Sequence, residues 1–75
     1  MYNKRNTEVT EMKEEIRRLQ KEGEFKFEGL TREESRAEAT KLAKAAKKDD
    51  LANGIECEYG IARDAFGYYR AVVID

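Results

Sequence analysis

Apolar positions along this chain follow two periods, one of three to four residues and one of two. Val9, Met12, Ile16 and Leu19 recur at helical steps and share one stripe, which predicts a helix over residues 7–22. Asn6 or Thr7 suits its start, and Gly23 its stop. Residues 1–6 precede it as a flexible N-terminus. The stripe is narrow, like a coiled-coil seam. It can dock on a sheet or pair with a second copy, so a homodimer through Val9, Met12, Ile16 and Leu19 is one expectation.

Residues 24–28 alternate strictly, with Phe25 and Phe27 on one face and charges on the other, which predicts a short strand. Thr31-Arg32-Glu33-Glu34 then matches a capping box, with Thr31 as N-cap and Glu34 at the third helical position. The helix it starts runs to about Lys48 or Ala52. Ser35, Ala39, Leu42 and Ala46 line one face, with Ala43 beside them, so the backbone can lie close to a sheet. Asn53-Gly54 ends it.

Ile55, Cys57, Tyr59 and Ile61 alternate with Glu56, Glu58 and Gly60 as a second strand. Residues 62–67 reverse direction. Residues 68–74 form a third strand, β-branched and aromatic. Both of its faces are fairly apolar, which predicts a central place in the sheet. The expected fold is α+β in the order α-β-α-β-β. Two helices would cover one face of a three-stranded, mostly antiparallel sheet. The other face would be open, carrying Glu24, Lys26, Glu28, Glu56, Glu58 and Arg70, with Tyr68 a further candidate.

Length confirms the scale of this picture, because 75 residues allow one domain with a small core. Charge changes the functional picture more. Charged residues make up 41% of the chain, yet the net charge is only -1. A nucleic-acid binder would ordinarily show a basic excess. The lone Cys57 and the polar N-terminus, without a signal peptide or membrane span, point to a reducing, cytoplasmic setting. Cys57 reads as a small buried hydrophobe.

The chemistry available for catalysis is thin. The chain has no histidine, so the usual general base and the Ser-His and Cys-His pairs are absent. No carboxylate sits in an obviously apolar context. Asp49-Asp50-Leu51-Ala52-Asn53-Gly54 imitates the start of a calcium loop. The ligand positions at Leu51 and Gly60 are wrong, so it reads as a helix end and turn. No metal, cofactor or catalytic residue is expected.

Two stretches remain suggestive. Tyr68-Tyr69-Arg70 combines residue types that dominate interface hot spots, and Phe66 and Ile61 add apolar weight near the hairpin. Tyr68, Arg70, Phe66 and Arg63 are therefore the candidate partner-binding residues. Lys41, Lys44 and Lys48 form a basic stripe on the second helix that can track a phosphate backbone. The bland alternative for the stripe is a solvated helix face.

Two resemblances bear on function. Leu30-Thr31-Arg32-Glu33-Glu34 and Arg70-Ala71-Val72-Val73-Ile74 are similar to stretches of the single-stranded nucleic-acid-binding domain named for its Arg-x-x-x-His motif. Here Arg36 is followed four residues later by Thr40, so that family's binding chemistry does not carry over. The charged "Thr-Arg-Glu-Glu-x-x-x-Glu-Ala" helix followed by a tyrosine-rich hairpin resembles small phage and mobile-element proteins. Some of these are inhibitors of host defence, including anti-CRISPR proteins. The resulting expectation is a non-enzymatic module that blocks a host protein by occupying its surface. The rival is a single-stranded nucleic-acid binder using Tyr68 and Arg70 with the lysine stripe.

Overall fold

A computed structural model describes the backbone of residues 4–74 and the side chains of residues 13–74. The elements are α1 (Lys4–Glu22), β1 (Glu24–Lys26), α2 (Arg32–Ala52), β2 (Tyr59–Arg63) and β3 (Tyr69–Val73). The sheet order is β1-β3-β2, with both pairings antiparallel. β3 is central, as its two apolar faces predict. Both helices pack on one side of the sheet, so the class is α+β.

α2 has the start that its sequence signals. Thr31 Oγ1 accepts from the Glu34 amide at 3.1 Å, and Glu34 Oε1 accepts from the Thr31 amide at 3.0 Å. This reciprocal pair satisfies two amides that the first turn would otherwise leave orphaned. Ser35, Ala39, Leu42, Ala43 and Ala46 are all buried along its inner face. Of these, Ala39, Leu42 and Ala46 meet Ile16 and Leu19 of α1 and Ala71 of β3, with Phe25, Phe27, Tyr59, Ile61, Tyr69 and Val73 closing the rim. Leu19 and Leu42 are the large, fully buried side chains, each contributing roughly 1.5–3 kcal/mol by burial.

α1 begins at Lys4, so neither Asn6 nor Thr7 is its cap. Residues 1–3 lie outside the described residues. Ile16 and Leu19 are buried in the chain's own core, which takes them out of any seam with a second copy. Val9 and Met12 lie outside the described side chains.

The second strand departs most from its pattern. β2 starts at Tyr59, not at Ile55. The Ile55 amide donates to the Asp50 carbonyl at 2.8 Å, which ties this residue to the end of α2. β3 stops at Val73. One residue further on, the Ile74 amide meets the Glu58 carbonyl, so residues 55–57 face no strand among the described residues. Cys57 is accordingly half-buried in irregular chain rather than a core residue. Ile55 is exposed, and Ile61 lies within β2 against the core rather than at the hairpin tip.

α2 also runs beyond Lys47 and Lys48, so its last turn holds Asp49 and Asp50 and no base. Acids at a helix C-terminus oppose the macrodipole. Neutral donors offset this here. Gln20 Nε2 of α1 donates to Asp50 Oδ1 at 2.7 Å and to Asp49 Oδ2 at 3.1 Å. The Tyr59 hydroxyl of β2 donates to Asp50 Oδ2. Asp50 is buried, so a carboxylate with no sequence signal of burial joins α1, α2 and β2. Burial, then the hydrogen bond to Asp50, pushes the Tyr59 phenol well above its usual range.

Candidate functional site

The hairpin between β2 and β3 is built around Asp64. Its Oδ1 accepts from the Phe66 amide at 2.8 Å and the Tyr68 amide at 3.0 Å. Its own amide donates to the Tyr68 carbonyl at 2.9 Å. An aspartate that bonds its own backbone two residues on is a local turn device. These amides, the one from Tyr68 foremost, hold the Asp64 carboxyl below its usual value of 3.8. Gly67 completes the turn at φ +91, and a Cβ there would lie 2.9 Å from Arg32.

Arg32, the first residue of α2, clamps this loop from outside. Its Nε donates to the Phe66 carbonyl at 2.7 Å. Its guanidinium also lies over the Tyr68 ring, 5.3 Å from the centroid, a cation–π contact. The Phe66 backbone is thus fixed from both sides, yet its side chain is 74% exposed. No other large apolar residue described here is so exposed. Phe66 and Tyr68 line a shallow groove with Phe27 and Leu30, and Lys26 stands at its side.

The four residues singled out from the sequence do not form one patch. Phe66 and Tyr68 do come together in this groove. Arg70 lies on the open face of the sheet, half-buried. Its Nε is 3.1 Å from Glu24 Oε1, close enough for an ion pair but off hydrogen-bond geometry. It borders a second groove with Arg18, Glu22 and Lys26. Arg63 is exposed at the end of β2, outside both grooves. Tyr69 turns inward against the core with Arg36 over its ring, so Tyr68 is the tyrosine that meets solvent.

Glu24, Lys26 and Arg70 share the open face as expected, with Val72 between them by strand alternation. Glu28, Glu56 and Glu58 fall outside the strands. Glu58 instead reaches back to Lys47 of α2, at 2.8 Å. Lys41, Lys44 and Lys48 are exposed on α2, on the helix side of the sheet, whereas Arg70 is on the other. The lysine stripe and Arg70 therefore do not make one continuous surface.

Sequence reasoning missed Arg32 and Asp64, the two residues that shape the loop. The spacing Asp64-x-Phe66-Gly67-Tyr68 carried a signal, since Asp and Gly at such positions mark an organised turn. The Arg32 clamp spans 34 residues and left no local trace. Among the described residues no group of three metal-ligating side chains gathers, and no helix is long and apolar enough to cross a membrane. No family model matches this chain, and no curated protein or solved structure matches it.

Proposed function

We propose that this chain is a non-enzymatic protein-binding module. It acts by occupying a surface of a host protein, in the manner of the phage-type inhibitors its helix and hairpin resemble. The observation that carries the reading is the pre-formed display of Phe66. A large apolar side chain stands in solvent while its backbone is held by Asp64 and Arg32. A loop already fixed in one shape loses little conformational entropy on binding. A solitary exposed aromatic needs no explanation, but one that continues into a groove with Phe27, Leu30 and Tyr68 has the form of an interface anchor.

The chemistry of the groove favours a protein partner over nucleic acid. Phe27, Leu30, Phe66 and Tyr68 share its walls with two acids, Glu28 and Asp64, and a single lysine, Lys26, a balance that repels phosphate. The net charge of -1 gives little of the counterion-release affinity that phosphate backbones reward. The test is affinity capture from host lysate with and without nuclease, followed by mass spectrometry. One stoichiometric protein that survives nuclease supports the reading. Partners that vanish with nuclease transfer it to single-stranded nucleic acid.

A further inference from the structure

Among the described residues, β2 is an edge strand whose outer side pairs with no other strand. In an antiparallel pair, residues alternate between those that exchange hydrogen bonds and those that do not. At one end of the hairpin the Asp64 amide meets the Tyr68 carbonyl, and at the other the Ile74 amide meets the Glu58 carbonyl. Together with the register, this points the Gly60 and Ala62 backbone groups at β3. The N–H and C=O groups of Tyr59, Ile61 and Arg63 point the other way. Among the described residues, no turn, loop or side-chain hydrogen bond reaches them.

Proteins ordinarily blunt such an edge with proline, inward charge, a bulge or a very short strand. β1, the opposite edge, has three residues, and α1 packs beside it. β2 has five residues, Tyr59-Gly60-Ile61-Ala62-Arg63, with no proline and a charge only at its end.

We infer that β2 is a self-association edge, and that its occupant is β2 of a second copy of this chain, antiparallel, about a two-fold axis through Ile61. This register satisfies all three outward pairs of groups on each strand. Ile61 would face its own counterpart, and Tyr59 would face Arg63 of the second copy at both ends. Gly60 and Ala62 would oppose each other on the open face, where the Ile74 side chain already lies over Gly60. Charge is complementary along the edge. Glu58 is held by Lys47 of its own α2, but Glu56 precedes the strand and Arg63 ends it, so reversing one copy brings Arg63 towards Glu56 of the other. Arg63 and Glu56 make no ion pair among the described residues. Asp64 would come opposite Glu58, but its carboxylate is turned into its own loop. The result is a continuous six-stranded sheet with a Phe66 loop at each end of the central strand pair.

The test is sedimentation equilibrium of the full chain from micromolar to near-millimolar concentration. The wild type is expected to show a monomer–dimer equilibrium. Arg63→Pro removes an outward amide without touching the bonds to β3, and should leave only monomer. Arg63→Glu places like charges together and should raise the dimer dissociation constant by about tenfold or more. Phe66→Ala should leave the dimer unchanged. A wild type that stays monomeric throughout overturns the inference, and so does a dimer indifferent to both changes at Arg63. If Arg63→Pro fails to fold by circular dichroism, the Arg63→Glu result alone decides.

Discussion

Ser35 Oγ accepts a hydrogen bond from the Tyr69 amide at 3.0 Å while donating to the Arg32 carbonyl at 2.7 Å. β1 ends at Lys26, one residue short of reaching the position beside Tyr69. The serine hydroxyl therefore takes the place of the missing strand carbonyl. Ser35 is buried, so no water can readily substitute. Ser35→Ala should destabilise the domain by about 1–3 kcal/mol, the cost of an unsatisfied buried amide. Urea denaturation of the two proteins reads the difference directly.

Tyr59 ties stability to alkaline pH. Its folded-state value lies above the ordinary 10.0. Its contribution is therefore fully present below pH 10 and is lost as pH rises through the folded value. Wild-type stability should fall on going from pH 9 to strongly alkaline solution. In Tyr59→Phe that fall should be smaller, because no phenol remains to ionise beside Asp50. Denaturant midpoints of both proteins across this range test the point, and parallel curves would contradict it.

The Asp64 loop responds at the acid end. Its carboxyl titrates below 3.8 because it accepts the Tyr68 and Phe66 amides. The stabilisation it gives is present above the usual aspartate value and disappears as pH falls through the depressed one. The amide proton resonances of Phe66 and Tyr68 should therefore move together, with a midpoint below 3.8. In Asp64→Asn neither should titrate in that range.

The parts of this fold that were legible in the sequence are those governed by neighbours along the chain. Thr31 and Glu34 are three residues apart, and their capping box closes locally. The alternation of Phe25 and Phe27 placed both rings on the core side. The apolar character of both faces of residues 68–74 led to the central position of β3. The rest depends on distant partners. Alternation alone extended the second strand back to Ile55, but a strand needs an opposite number, and β3 supplies none before Glu58. Asp50 looked like a surface helix end, because nothing near it signals that Gln20 and Tyr59 converge there. Tyr68, Arg70, Phe66 and Arg63 looked like one site because they are close in sequence. Strand alternation and the turn send them to three different surfaces.

In the proposed function Phe66 anchors a protein partner. The most direct measurement is isothermal titration of the captured partner against wild type, Phe66→Ala and Lys44→Ala. Truncating an interface hot spot costs about 2 kcal/mol or more, so Phe66→Ala should weaken binding by roughly thirtyfold or more. Its unfolding midpoint should stay at the wild-type value, since the side chain is exposed. Lys44→Ala should bind as wild type does. Undiminished affinity in Phe66→Ala, or a loss confined to Lys44→Ala, would contradict the account.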